Sequence, residues 1–527
     1  MQLRLHGIHI PYDADQESRL RKEAARRLDL SEDRLPPYRV ARRSVDARKR
    51  PVQFVYAVDI AVPDEFDLSS VPDAKESPSP VPMRVETGQT PMSSPPVVIG
   101  GGPAGLFATL LLAEHGFRPI LIERGGTSAD RVTALRRFAD TRVPDPECNA
   151  LFGIGGAGTF SDGKLSTGVN HPWLKNVLEI LVTCGAPAQI LFDAKPHVGT
   201  DILQDTVTRL VARIEAAGGE VRPHTRVDGF ETANRRLSGL QTSAGFVPCN
   251  AAVVAVGHSS RDTWQALQAA GVMISPKPFQ LGIRAEHPQA WLDAHRYGKA
   301  AGHPALGAAD YKLATQVNGT PVFSFCMCPG GETMPTVNEP NHLAINGMSE
   351  SLRESPFSSS GLVVTLTPET YGGIDLDSCL AFQRSVEAAC FRAGGENYAA
   401  PAQRLIDFYK GVRSDTPPET SFRLGVRSAD LTKVLPASVA APLRSALAHF
   451  DRRIPGYLHP EAAALAPESR ASSPVRIVRD ARTLASISVE GIFPAGEGAG
   501  YAGGIMSSAL DGLNAACKIA ESYHPLY

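Results

Sequence analysis

With 527 residues, 53 Lys plus Arg against 55 Asp plus Glu, and 43% hydrophobic residues, the chain is near neutral, globular in composition and long enough for two or three domains. The charge balance gives no electrostatic reason to expect nucleic acid as a partner. No apolar run approaches the roughly 20 residues a bilayer demands, and residues 1–10, with Arg4, His6 and His9, lack a signal-peptide core, so a cytoplasmic protein without membrane attachment is expected.

Residues 1–75 are expected to form a small α/β domain, with a strand over 3–10, a helix over 15–28 and an alternating strand over 53–62. Between them Arg39, Arg42, Arg43, Arg48, Lys49 and Arg50 are offset only by Asp46. Such a run could touch RNA or an acidic partner; a solvated face that docks on a neighbouring domain is the simpler reading in a chain that is not basic overall. Residues 63–95 are rich in Pro, Ser, Asp and Glu and read as exposed, with 76–95 as the linker to the next domain.

A new domain starts at 96. Val97-Val98-Ile99 reads as a buried strand running into Gly100-x-Gly102-x-x-Gly105, followed by a helix over 106–115 and a second strand over 119–122 that ends at Glu123. This is a βαβ unit shaped for a dinucleotide. The first glycine permits the turn, the second lets backbone approach a pyrophosphate, and the third lets helix and strand pack closely. The phosphates would sit on helix N–H groups, and an acidic residue about 20 positions on, here Glu123, would accept from ribose hydroxyls.

The domain is then interrupted. Short strands are expected over 220–230, 237–242 and 246–249, and the apolar run 251–256 suits a buried parallel strand stopping at Gly257-His258. Residues 261–470 mix strands and helices without a second fingerprint and read as an inserted α+β substrate domain. Residues 471–527 resume the first domain: a strand over 491–494, the turn Gly496-Glu497-Gly498-Ala-Gly500-Tyr501-Ala-Gly503-Gly504, and a helix over 506–521. The fold expected is therefore α/β, a discontinuous Rossmann-like domain (96–260 with 471–527) carrying an inserted domain and preceded by a small α/β domain. Two separated glycine turns suit FAD, which stretches from adenosine to a distant flavin ring, better than NAD, which needs one.

Several strings carry a resemblance: GGGPAGL with IER, GIGGAGTFSDGKL (153–165), KPHVGTD (195–201), AVGHSSRDT (255–263), AADYKL (308–313), FCMCPGG (325–331), NGMS (346–349), GGENYAAPAQ (394–403) and PAGEGAGYAGGI (494–505). Together they resemble the bacterial FAD-dependent dehydrogenase family, two-dinucleotide-fold flavoproteins related to glutathione reductase. The resemblance implies FAD and an oxidoreductase fold. It assigns Gly100, Gly102, Gly105 and Glu123 to the ADP half, Gly496 and Glu497 to the ribityl and pyrophosphate part, and Gly503, Gly504 and Ile505 to the isoalloxazine. The expected cofactor-binding set further takes in Pro103, Ala104, Arg124, Gly158, Thr159, Ser161 and Gly257. Where the family reads GEGGAG this chain has Ile154, and its 350–361 segment and Ala471 also depart, as in a specialised paralogue acting on another metabolite. If the family's carboxylate at that place matters near the flavin, this chain lacks it.

The candidate catalytic residues are Lys164, His258, Cys326 and Cys328. Lys164 could steady an anionic reduced flavin or a substrate carboxylate, or simply pair with Asp162 at the surface. His258 follows a strand end and has an intrinsic pKa suited to proton transfer; His287, Arg284, Tyr311 and Lys312 are further candidates. Cys326 and Cys328 could exchange electrons with a flavin, although buried cysteines acting as small hydrophobes are the simpler reading. No second Cys or His pair has zinc spacing, so no metal is expected. The function expected is FAD-dependent oxidation or reduction of a small-molecule substrate, with NAD(P)H as a possible transient electron donor. Two alternatives are an RNA-associated flavoprotein using the basic N-terminal run and a flavin-dependent oxidase or monooxygenase.

Overall fold

The computed structural model describes residues 1–79 and 81–525; Pro80 of the expected linker and the last two residues of the C-terminal segment lie outside them. Its central element is a five-stranded parallel sheet in the order Ile492–Pro494, Ala252–Val254, Val97–Ile99, Ile120–Ile122, Glu220–Arg222. The three inner strands are buried along their whole length, as continuous Val/Ile/Ala runs require when both faces of a sheet are covered. The chain leaves this sheet after Val254 and returns at Ile492, so the interruption read from the two glycine clusters is real.

Helices Pro103–Glu114 and Ile505–Ser522 pack against each other beside this sheet. Their crossing is close because Gly512 has no side chain: a Cβ there would lie 2.0 Å from the Ala104 carbonyl oxygen. The predicted strand over 220–230 divides in two. Glu220–Arg222 is the edge of the parallel sheet, whereas Val227–Ala233 starts a three-stranded antiparallel sheet with Arg236–Thr242 and Gly245–Pro248. Pro223 and His224, the latter at φ +53°, make the break.

The inserted region is built on a seven-stranded sheet. Its order is Ala314–Val317, Thr320–Cys328, Phe357–Leu366, Phe279–Pro288, Ala463–Glu468, Ala400–Arg404, Val426–Ser428, antiparallel except for the last pair. Helices Leu376–Ala393 and Ala437–Arg453 pack on it. A two-stranded ribbon, Ile274–Pro276 with Val475–Ile477, ties the outgoing and returning chain together.

The N-terminal sheet has the order Tyr38–Asp46, Gln53–Ala61, Gln2–Pro11, Ala74–Glu76, with helix Gln16–Arg27 capped by Asp15, whose carboxylate accepts from Ser18 N. The first half of the basic run lies on strand Tyr38–Asp46, where Arg39 pairs with the buried Asp59 and Arg43 with Asp193 of the following domain, the contact expected of a face that docks on its neighbour. One expectation is corrected: the 63–95 segment is not a solvated tether. Ala74–Glu76 pairs with Leu3–Leu5, and Thr90–Pro91 pairs in parallel with Tyr523–His524. Among the described residues no helix is long and apolar enough to cross a membrane.

Candidate functional site

The first glycine turn is set by sterics. Gly100 adopts φ +102°, and a Cβ there would sit 2.5 Å from the Ala255 carbonyl oxygen on the neighbouring strand. Glu123 then gathers the surrounding loops. Its buried carboxylate accepts from Gly101 N at 2.6 Å through Oε2 and from Gly125 N and Gly153 N, both at 2.9 Å, through Oε1. One lone pair on Oε2 stays available for a hydroxyl. Arg131, fully buried, donates to the carbonyls of Asn149, Ala150 and Ile154 at 2.8 to 3.0 Å and so shapes the next loop. Ile154 lies beneath this turn, 4% exposed, its Cδ1 3.0 Å from where a Gly101 Cβ would be. The departing position is thus part of the apolar packing and not of the cavity wall.

The second turn is held by Asp511, which accepts from Gly496 N at 2.8 Å while forming an ion pair with Arg479. Glu497 accepts from Ser473 N at 2.9 Å; burial raises its carboxyl pKa, against backbone donation and the Lys277 charge. Gly102 and Gly504 are the N-caps of the two packed helices, and neither helix has a side-chain cap. Both N-termini open on one cavity of about 580 Å³, so their free N–H groups and positive dipole ends face the same space.

Gly163, Lys164 and Cys326 line the same cavity. Asp162 is 1% exposed and accepts from Ser349 Oγ at 2.5 Å and from Arg353 at 2.6 and 3.1 Å, with Lys164 Nζ at 3.3 Å. Burial alone would raise this carboxyl, but Lys164 and Arg353 outweigh it and bring it to about 2. The Lys164–Asp162 pair therefore exists, but at the cavity and not at the outer surface. Lys164 also donates to the Met327 carbonyl between the two cysteines. Burial would lower its pKa; Asp162 and the cysteine sulfurs raise it further, so it is a fixed cation.

Cys326 stands at φ +41°, a left-handed conformation that costs a non-glycine residue about 1–3 kcal/mol. Its Sγ is 3.9 Å from that of Cys328. Arg284, wholly buried, donates to Cys326 O at 2.7 Å, lies 3.6 Å from Cys328 Sγ, and forms an ion pair with Glu468 at 2.7 Å. The hydrogen bond to Cys328, with the charges of Lys164 and Arg284, brings the Cys326 thiol down to about 6 against the opposing effect of burial, while Cys328 is pushed up.

Most of the residues expected from sequence converge on the cavity: Gly100, Gly102, Pro103, Ala104, Glu123, Arg124, Gly158, Ser161, Gly257, Gly496, Glu497, Gly503, Gly504, Ile505, Lys164, His258 and Cys326 line it. Three do not. Gly105 is beneath the turn, where a Cβ would meet the Gly100 carbonyl. Thr159 is 1% exposed, packed against Gly155. Cys328 is fully buried behind Cys326. His258 is on the wall, Nδ1 2.9 Å from Ser259 Oγ, but burial and then Arg470 lower its pKa to about 4, so it is a neutral hydrogen-bonding group near pH 7. Of the further candidates, His287 is buried away from the cavity on Tyr457 O, and Tyr311 bonds Tyr457. Sequence reasoning did not assign Asn346, Lys277 and Arg470 to the site, although Asn346 opens the NGMS string; they come from the inserted sheet and its junction. Among the described residues no cluster of His, Cys, Asp or Glu could hold a metal.

The wall fits an extended dinucleotide. Its volume is that of a small-molecule site. A Cβ on Gly257 meets no atom within 4 Å, and one on Gly102 meets nothing nearer than 3.8 Å, so side chains there would fill the space the glycines leave open. Arg470 is 2% exposed, gives Nε and Nη2 to Glu387, and leaves Nη1 without a hydrogen-bond partner among the described residues. A buried, unsatisfied cationic donor on a cavity wall calls for an anionic or carbonyl acceptor.

Residues 94–137 match a family described as an FAD binding domain, residues 278–471 one described as FAD-dependent protein, C-terminal domain-like, and residues 1–61 a domain of unknown function. A curated protein of Clostridium beijerinckii, described as uncharacterized, is 37% identical over 531 residues and covers 99% of each chain. Among solved structures, glycine oxidase from Bacillus cereus covers 82% of this chain and 99% of its own at 11% identity and a TM-score of 0.34. L-amino acid deaminase from Proteus vulgaris covers 86% and 97% at 12% identity and a TM-score of 0.33. At such scores these two likenesses say nothing of substrate.

Proposed function

Because the chain belongs to the same family as the Clostridium beijerinckii protein, and through its FAD binding domain to the FAD-dependent oxidoreductases, we propose that it transfers hydride between a small-molecule metabolite and FAD held in the cavity. The carrying observation is that both glycine turns and both uncapped helix N-termini open on the one cavity that also reaches Lys164. FAD bound there would supply the two-electron chemistry. Glu123 would hold the ribose and Gly102 would admit the pyrophosphate. The helix starting at Ile505 would offset negative charge with its positive end. Lys164, kept charged by Asp162, would orient an anionic or carbonyl substrate in the cavity lined also by Asn346 and Cys326. His258 would serve as a neutral hydrogen-bonding group.

The finer reading is a member of the FAD-dependent dehydrogenases, reduced transiently by NAD(P)H, because the sequence carries no second fingerprint for a resident nicotinamide. The experiment is purification followed by flavin absorption and anaerobic mixing with NADH or NADPH. Yellow protein with one FAD per chain, bleached by either donor, is the expected result. A colourless protein that does not take up added FAD overturns the proposal.

A further inference from the structure

Cys326 differs from every other cysteine in the chain. Cys148, Cys184, Cys249, Cys379, Cys390 and Cys517 are buried thiols, each pushed up by desolvation, as expected of small apolar groups. Cys326 lines the cavity, and Cys328 lies directly behind it. Their approach is built by the backbone. From Phe325 to Cys328 the strand advances three residues while its partner advances only two, from Gly361 to Ser359, which is a bulge holding one extra residue. In a regular strand, residues two apart share a face but stand roughly 6–7 Å apart. The bulge, with the left-handed backbone at Cys326, brings the sulfurs to 3.9 Å, so a side-chain rotation separates them from bonding distance.

The charges around the pair suit a thiolate. Lys164 donates to the carbonyl between the two cysteines, and Arg284 donates to the Cys326 carbonyl and reaches Cys328 Sγ. The opposing carboxylates, Asp162 and Glu468, are each engaged, by Arg353 with Lys164 and by Arg284 respectively.

We propose that Cys326 and Cys328 form a dithiol–disulfide couple on the cavity wall that exchanges an electron pair with the flavin. Oxidation joins the Cys326 thiolate and the Cys328 thiol in one S–S bond, releasing the Cys328 proton and two electrons. Oxidised flavin takes up both electrons with that proton, and the reverse step restores the dithiol. The exchange with flavin rests on the FAD reading; the couple itself does not.

Two measurements separate them. In the first, iodoacetamide alkylation of protein freed of flavin is followed by peptide mass spectrometry against pH. Cys326 reacts first with a midpoint near pH 6, at least ten times faster at pH 7 than Cys148, and diamide treatment lowers the mass of the 326–328 peptide by two hydrogens. Lys164→Met moves the midpoint upward. Equal reactivity of Cys326 and Cys148, or no intramolecular bond, overturns the couple. In the second, anaerobic dithionite titration of diamide-oxidised holoprotein takes four electron equivalents per flavin in the wild type and two in Cys326→Ala and in Cys328→Ala. Two equivalents in the wild type overturn the couple while FAD stands; absence of flavin overturns the FAD reading and the exchange, leaving the alkylation result to decide the couple.

Discussion

A methyl group on Gly105 would lie 1.8 Å from the carbonyl oxygen of Gly100, so the third glycine of the turn is there to let the helix Pro103–Glu114 seat on the strand before it. Gly102 differs. Its φ of −76° suits any residue, and the nearest atom to a Cβ there is 3.8 Å away, on the cavity side at Gly156. Gly105→Ala is expected to destabilise the protein by about 3 kcal/mol or more, since the obstructing atom is backbone and cannot turn aside. Gly102→Ala should leave the flavin-free protein within about 1 kcal/mol of wild type and weaken FAD binding by at least tenfold. Urea denaturation of flavin-free protein and FAD fluorescence quenching read the two effects separately. Equal loss of stability in both variants would contradict this division of roles.

Much of this was legible in advance because short, strongly constrained segments carried it. The buried Val97–Ile99 and Ala252–Val254 strands, the helix after Gly102 and the return at Ile492 are runs in which burial on both faces leaves few alternatives. The basic strand Tyr38–Asp46 was missed because its arginines do not alternate with apolar residues; their partners, Asp59 and Asp193, are distant in sequence. Arg470 and Asn346 were missed for the same reason, since they reach the cavity only through the pairing of the inserted sheet. The close approach of the Cys326 and Cys328 sulfurs was not legible, because a bulge, which no residue pattern announces, decides where they go.

Arg43 joins the N-terminal unit to the FAD-binding region. It gives two hydrogen bonds to Asp193, at 2.8 and 3.0 Å, while its backbone bridges Phe192 O and Ala194 N. The pair is about one-third exposed on the arginine side, so solvent screens it, and a double-mutant cycle of Arg43→Ala with Asp193→Ala should give a coupling of about 0.5–1 kcal/mol. Limited proteolysis within residues 63–95 should accelerate in either single variant. Unchanged cleavage would mean that the backbone bridge alone holds the units together.

His287 sets an acid limit on the fold. It is fully buried, bonds Tyr457 O through Nε2 at 2.8 Å, and leaves Nδ1 without a hydrogen-bond partner among the described residues. Burial brings its pKa from the usual 6.5 to about 4. Between those values the unfolded chain holds a proton that the folded chain does not, so stability falls as pH drops from 6.5 towards 4, by up to about 3 kcal/mol. His287→Gln cannot titrate and should lack that component. The check is urea denaturation at pH 7.0, 5.5 and 4.5, comparing the pH slope of the variant with that of wild type; parallel slopes would remove His287 as the cause.

Arg470 links the buried charge network to the cavity. Glu387 takes two of its nitrogens and is shared with Arg261, so removing the arginine leaves a carboxylate with one cation in place of two. Arg470→Met should therefore cost about 3–5 kcal/mol of stability, the usual consequence of breaking a buried ion pair from one side. Arg470→Lys keeps the charge but cannot supply the planar fork, so it should recover part of that stability without restoring the donor held at Nη1. If that donor serves the bound cofactor, Arg470→Lys binds FAD at least tenfold more weakly than wild type, while adenine nucleotides without a flavin show where on the molecule the loss falls. An Arg470→Lys protein that is less stable yet binds FAD with unchanged affinity would confine Arg470 to the fold and leave its third nitrogen idle in the complex.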